Sequence, residues 1–216
     1  MERRGLIVLV ALLALGGGSG YALSAQTGED DASSGVGAPL PARSPSVPVE
    51  PTQEPVPDPD DPALRPGIAL TTQTLGSGRF AVDVPVPVGW RTNDRATNAA
   101  KWKQPGTSNN TYVMRVEQIT SRDLGTAAAI DLRVARVRAE QDDVEPISRG
   151  VDSLEYTYRS DEGTARHTFM RWVDLDEDGT ADLEIVVHGR ERDVPGTSDL
   201  IERVASGVRP ADGGSG

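Results

Sequence analysis

The sequence predicts an α+β domain, an antiparallel sheet of about six strands covered by two helices, preceded by a transmembrane or signal helix and a disordered proline-rich linker. Three observations lead there. Between residues 67 and 210 several short runs alternate apolar and polar side chains, the period of half-buried strands. Two other runs in that region place apolar residues at helical spacing, one near its middle and one at its end. Ahead of it, an uncharged N-terminal stretch is followed by a segment with no aromatic residue that cannot build a core. Runs of antiparallel strands interrupted by only two helices belong to the α+β class rather than to a parallel α/β sheet.

The chain divides into 1–25, 26–66, 67–210 and a flexible tail, 211–216. Arg3 and Arg4 precede 21 uncharged residues, Gly5 to Ala25, enough to span a bilayer. The strongly apolar part, Leu6 to Leu15, has the size of a signal-peptide core, so cleavage near Ala22, Ser24 or Ala25 is the alternative that releases a secreted form. Either way positive charge before the segment and acid after it direct the remainder outward, so the expected location is the cell membrane, single-pass, with an extracytoplasmic C-terminal domain. From Gln26 to Pro66, proline, serine and acid dominate, with eight carboxylates facing only Arg43 and Arg65. Such a segment is an extended spacer, about 130 Å long if fully polyproline-like.

Within 67–210 the elements follow in order. RFAVDVPVPVGW reads as a first strand with Phe80, Val82 and Val84 inward, ending at Pro85 and Pro87, because proline cannot donate to a ladder. NAAKWKQ turns Ala100 and Trp102 one way and Lys101 and Lys103 the other. TYVMRVEQI buries Tyr112, Met114 and Val116 and leaves Arg115 and Glu117 outside. GTAAAIDLRVARVRAEQDD sets Ile130, Val134 and Val137 along one helical stripe, and Pro146 closes that segment. SRGVDSLEYTYRS resumes alternation with Leu154, Tyr156 and Tyr158. ARHTFMRWVDLDEDGTADLEIVVHG reads as a hairpin turning on Asp178-Gly179, with Arg171 and Glu184 paired on its outer face. TSDLIERVASGV closes the domain as a helix capped by Thr197 or Ser198, with Leu200, Ile201, Val204, Ala205 and Val208 on its apolar side. Trp90, Trp102 and Trp172 are assigned to the core.

The first strand's close on Pro87, Val88, Gly89 and Trp90 resembles the P-x-G-W element that opens PsbP-like domains, and Gly78 to Arg209 is similar in element order to exported actinobacterial proteins of the LpqN type and to the extracytoplasmic ends of some actinobacterial receptor kinases. The resemblance implies a helix-covered sheet and a non-enzymatic role. It supplies no transferable active site, and the additional Val-Pro before Pro87 and the acidic hairpin tip depart from the pattern.

Composition narrows the function. A net charge of -11 and a pI near 4.7 leave no basic stripe for nucleic acid or anionic lipid, so contact with the membrane is confined to the N-terminal helix. There is no cysteine, which removes disulfides, thiolate metal sites and cysteine nucleophiles. Two of the 22 basic residues, Lys101 and Lys103, are lysines, an arginine bias that suits a GC-rich genome.

The one stretch with the look of a chemical site is DLDEDGTADLE. Asp174, Asp176, Asp178 and Asp182 stand at positions 1, 3, 5 and 9 of a calcium loop, Gly179 at 6 and the Thr180 carbonyl at 7. Position 12 is Ile185 instead of a bidentate glutamate, and Glu184 falls one residue early, which departs from the EF-hand pattern and argues against one. A plain hairpin tip explains the turn residues, while the crowded acid favours a weakly bound calcium. A cell-envelope hydrolase would need more than His167 and His188 on neighbouring strands, and neither G-x-S-x-G nor H-E-x-x-H occurs. The expected function is therefore a non-catalytic, membrane-tethered binding or accessory domain of the envelope, its partner an envelope protein or a small apolar ligand. A calcium-stabilised module is the alternative and a hydrolase the third reading.

Overall fold

A computed structural model describes residues 54, 56–108, 111–120 and 124–211. The expected export segment, the linker up to residue 53 and the tail from 212 lie outside the described residues. Among the described residues no helix is long and apolar enough to cross a membrane. The described strands are β1 (Leu70–Leu75), β2 (Val82–Pro87), β3 (Arg91–Arg95), β4 (Ala99–Lys103), β5 (Val113–Gln118), β6 (Asp142–Arg149), β7 (Ser153–Arg159), β8 (Ala165–Val173), β9 (Leu183–Gly189) and β10 (Arg209–Pro210). Helix α1 is Thr126–Glu140 and α2 is Val194–Ala205. Seven strands form one antiparallel sheet in the order β3-β4-β5-β9-β8-β7-β6, and β1-β2-β10 form a second, smaller one. The α+β class and the antiparallel pairing are those expected. The ten strands exceed the expected six because β1, β3, β6 and the two-residue β10 carry little apolar alternation: LTTQTL, RTNDR, DDVEPISR and RP lie at sheet edges, where one side needs no partner.

The prolines did not end the elements they were expected to end. Strand β2 runs on through Pro85 to Pro87. The Val88 amide donates to the Ala69 carbonyl at 2.9 Å, so even-numbered amides here face β1 and odd-numbered positions face the other way. On that other side β10 pairs only with Asp83 and Val82, so neither Pro85 nor Pro87 has a donor to lose. Pro146 sits in edge strand β6, beside a register shift, where its ring displaces no ladder. Phe80, expected inward, stands exposed in a short 3-10 turn ahead of β2.

The large sheet is covered on both faces. On one, Ala100, Trp102, Met114, Val116, Leu183, Ile185 and Val187 meet Val82, Val84 and Val86 of the small sheet and Leu200, Ile201 and Val204 of α2. On the other, Leu154, Tyr156, Met170, Trp172 and Val186 pack under Ala129, Ile130 and Val137 of α1. All three tryptophans are buried, as expected. Two-sided coverage corrects the reading of the β8–β9 hairpin as half-buried. Met170 pairs with Val186 and Phe169 with Val187, so the Met170/Trp172 stripe and the Leu183/Ile185/Val187 stripe lie on opposite faces. For the same reason Arg171 and Glu184 do not pair. Arg171 bonds Asp152 at 2.7 Å and Glu202 at 2.6 Å, whereas Glu184 meets Arg133 of α1 at 3.1 Å. Helix α2 begins earlier than expected, at Val194 with Pro195 in its first turn, and Thr197 is a buried interior residue whose hydroxyl donates to the Asp193 carbonyl at 3.1 Å.

The folded part also begins before Gly67, which corrects the domain boundary. Residues 56–66, linker-like by composition, lie along the domain as a strap. The Val56 amide donates to the Gly163 carbonyl at 2.8 Å, and Asp58 pairs with Arg166 at 2.7 Å. Arg190 and Asp193, both fully buried, hold one another at 2.7 Å. The Arg190 guanidinium then donates to the carbonyls of Pro59, Asp61 and Pro62 at 3.1, 3.0 and 3.0 Å, and Asp193 accepts the Leu64 amide at 2.9 Å. Leu64 is buried against the start of α2, so close that a Cβ on Gly196 would meet its carbonyl oxygen at 2.3 Å. Proline-rich chain suits this role because its carbonyls are free of internal bonds. A chain starting at Gly67 is predicted to lose about 3 kcal/mol or more of stability relative to one starting at residue 54, from the Leu64 side chain and the charged hydrogen bonds of Arg190. Urea unfolding of the two forms measures it, and coincident midpoints would show that the strap is not part of the fold.

Candidate metal and ligand sites

The acidic segment is a nine-residue loop, 174–182, between the last β8–β9 pair, Val173 and Leu183, and not a two-residue turn. Its shape comes from its own carboxylates. Asp174 accepts the amides of Asp178 at 3.2 Å and Gly179 at 2.7 Å, Asp178 accepts the Thr180 amide at 2.8 Å, and Asp182 accepts the Leu175 amide at 2.7 Å. Glu177 and Gly179 have φ of 59° and 88°, the left-handed turns that a short loop of this kind needs. The Gly179 carbonyl caps α1 by accepting the Thr126 amide at 3.1 Å, in place of a side-chain cap.

Asp174, Asp176 and Asp182 each bring an oxygen within 4.8 Å of the others, a spacing that can share a cation. Asp178 falls outside that group, its carboxylate turned to the Thr180 amide, and Thr180 is bridged to Gly125. The Asp176 carboxyl is raised above the usual carboxylate range, first by desolvation and then by the charges of Asp178, Asp182 and Asp174.

A second candidate site, unmarked by any sequence motif, lies under the C-terminal half of α1. A cavity of about 200 Å³ opens between the helix and the sheet face that carries Lys101, Val113, Arg115, Tyr156, Tyr158, Thr168, Val186 and His188, roofed by Arg133, Val137, Glu140 and Gln141. Among the described residues, five buried side-chain nitrogen or oxygen atoms lack a hydrogen-bond partner, and three of them belong to residues lining this cavity: Arg133 Nε, Thr168 Oγ1 and His188 Nε2. Natural interiors rarely leave such atoms unpaired, and these three are closed to a molecule the size of water, behind the cavity's open space. The Tyr156 phenol stands near Thr168 Oγ1, but the pair does not reach hydrogen-bond geometry. Burial raises both phenols, Tyr158 to about 12, so each is a neutral donor at physiological pH.

His188 retains some surface as a residue, yet its Nε2 is closed from solvent. Burial, then the charges of Lys101 and Arg166, push the imidazole down to about 4. His167 sits on the other sheet face, stacked on Phe169 at 4.8 Å and held by Glu155 at 2.8 Å, so the two histidines are on adjacent strands but face apart. The polar residues Lys101, Thr168 and His188 alternate with apolar ones along their strands, and that period identifies a solvent face until a helix crosses it. The signal that marks them is their placement opposite α1, a tertiary fact.

A histidine whose folded pKa is lowered contributes stability that is complete above its unfolded value and is lost as pH falls toward the folded one. Between pH 7 and pH 4.5 the chain is predicted to lose about 2 kcal/mol that a His188→Asn variant does not lose. Urea unfolding of both at the two pH values checks this, and equal losses would remove His188 as the cause.

No family model matches the chain, and the search of curated proteins found no match.

Proposed function

We propose that this chain is an exported, membrane-tethered, non-catalytic binding or accessory domain of the cell envelope, and that its ligand site is the cavity under α1. The observation that carries the site is the cavity itself, about 200 Å³ between α1 and the sheet, walled by Val137, Val186 and two neutral phenols and lined by Lys101, Arg115 and Arg133. His188 is neutral and the phenols are far from ionisation at physiological pH, so none of the three is an activated nucleophile. Such a site orients and holds. The PsbP-like resemblance belongs to the same proposal, supported by the position of Pro87, Val88, Gly89 and Trp90, where β2 ends and Trp90 enters the core against Tyr112 with ring centroids 5.8 Å apart.

Native mass spectrometry of the intact chain, gently purified from envelope, tests the reading. A small bound mass is expected on the natural chain and not on Val137→Trp, which fills the cavity. A bare natural chain, or a mass that persists on a folded Val137→Trp, counts against it.

The calcium reading is favoured separately by the 4.8 Å grouping of Asp174, Asp176 and Asp182 and by the raised carboxyl of Asp176. A carboxyl raised in the fold contributes stability at low pH that is lost as pH climbs through the carboxylate range. Asp176→Asn, fixed in the neutral form, is therefore predicted to be more stable than the natural chain at pH 7 without divalent cations, with the difference gone at pH 3. Millimolar calcium should raise the melting temperature of the natural chain and leave that of Asp176→Asn in place. Calorimetry with no heat at millimolar calcium or magnesium would eliminate the ion.

A further inference from the structure

The strap meets the large sheet at the end where β8 begins, through Gly163 and Arg166. At the opposite end, where Gln118 of β5 pairs with Leu183 of β9, a cleft of about 490 Å³ opens between the large sheet and the small one. It is separate from the cavity under α1 and has the volume of an ordinary small-molecule site. Its apolar lining is within reach of a ligand: Phe80 is 49% exposed, and Ala81, Ile119 and Leu175 are half-buried around it. A single exposed phenylalanine ordinarily means little. This one stands on a backbone that is held in place. The Gln118 side-chain amide donates to the Phe80 carbonyl at 2.6 Å, the Phe80 amide to the Ser77 carbonyl at 3.2 Å, and the Ala81 amide to the Gly78 carbonyl at 3.1 Å. Gly76, at φ 83°, lets the turn lie so close that a Cβ there would meet the Phe80 carbonyl oxygen at 2.6 Å. The wall that carries the ring is therefore already ordered when a ligand arrives.

Charge narrows the class of ligand. Among the described residues that line the cleft, Asp176 and Asp182 are the acids and Arg79 is the one cation, its guanidinium 4.7 Å from the centre of the Phe80 ring. The lining thus carries a negative surplus, deepened by Asp174, Glu177 and Asp178 on the same loop. Elsewhere acids such as Glu184, Glu202 and Asp193 are met by arginines. None of these five has an ion pair among the described residues. Asp174 and Asp182 serve backbone amides of the loop, which leaves Asp176 as the exposed carboxylate of the lining. The ring acts in the same direction, because the negative face of a π system draws cations, as it already draws Arg79. An inorganic cation uses the carboxylates and not the apolar wall, and a neutral apolar body uses the wall and not the charge. One ammonium on a body of one ring uses both.

We propose that the cleft bounded by the 76–82 turn, the end of β5 and the 174–182 loop binds a small organic monocation, its ammonium set at the Asp176 carboxylate and its apolar body against Phe80, Ile119 and Leu175. The cleft lies away from the strap, so a ligand enters it without displacing Arg190 or Asp193.

Isothermal titration of the intact chain, at neutral pH and without divalent cations, with phenethylamine, phenethyl alcohol, phenylacetate and methylammonium tests it. Phenethylamine is expected to bind with Kd on the order of 1 mM, and the other three at least about fivefold more weakly. Phe80→Ala removes the ring and is expected to weaken phenethylamine by about tenfold. Asp176→Asn removes the exposed charge and is expected to weaken it by about threefold, the smaller loss because solvent screens a surface ion pair. Both substitutions are at exposed side chains, so the far-ultraviolet dichroism is expected to stay unchanged. Phenethyl alcohol as strong as phenethylamine overturns the cation. Methylammonium as strong overturns the apolar body and reduces the binding to the bare charge of the loop. Phenylacetate as strong overturns the charge selection. Binding of none of the four overturns the cleft as a site, and unaltered phenethylamine affinity in both folded variants places the binding elsewhere and overturns the proposal as well.

Discussion

The constraint on which the structure turns is that β9, the middle strand of the seven, is covered from both sides. Leu183, Ile185 and Val187 are wholly buried toward α2 and the small sheet, while Val186 is buried toward α1. A sheet with one apolar face can leave the other wet. A central strand with apolar residues on both parities cannot, so the two helices must occupy opposite faces. The residues that share the α1 face with Val186 are Glu184 and His188, and both are polar. Glu184, despite being raised first by desolvation, is met by Arg133 from the helix. His188 is held neutral. The cavity is therefore where the helix cannot close down on a strand whose outer parity is not apolar throughout.

The same fold replaces the disulfides it lacks with buried arginine. Arg190 and Asp193 are three residues apart at the join of β9 and α2, and together they close seven hydrogen bonds: three with one another, three from Arg190 to strap carbonyls and one from the Leu64 amide to Asp193. A lone buried ion pair is a poor source of stability, because desolvation offsets its attraction. Here every donor of the guanidinium except those already used on Asp193 has a backbone carbonyl, so the desolvation cost is met by hydrogen bonds that also fix the path of the strap. Arginine suits this better than lysine because its fork reaches several acceptors at once.

What the letters made legible was whatever depends on local period. Val82 and Val84, Ala100 and Trp102, Met114 and Val116, Ile130 and Val137, and Leu200, Ile201 and Val204 all lie where alternation or helical spacing puts them. The acidic loop was legible as a cluster but not as a geometry. Three of its aspartates converge, while Asp178 serves the backbone of Thr180. Two features could not be read. The strap is spacer-like in composition, and its attachment is made by Arg190, more than 120 residues away along the chain. The cavity is assembled from Lys101, Thr168, His188 and Arg133, each of which looks like a solvated residue on its own element. Leu64, a lone aliphatic in a proline-acid segment, and the Arg-x-x-Asp spacing at 190–193 were the available hints of the strap.

A cavity biased toward anions in a chain of net charge -11 is not a contradiction, because the two quantities act over different distances. At physiological ionic strength surface charges are screened over about 8 Å, so the overall acidity slows the approach of an anion without setting its affinity once inside. Within the cavity, the relevant charges are Lys101, Arg115, Arg133 and Glu140 and the carboxylates that engage the two arginines. Removing water from that space strengthens each of these interactions. The acidity outside then acts on large and small anions differently: polyanions, including nucleic acid and anionic lipid surfaces, are too large to leave the repulsive field, whereas a single small anion is not.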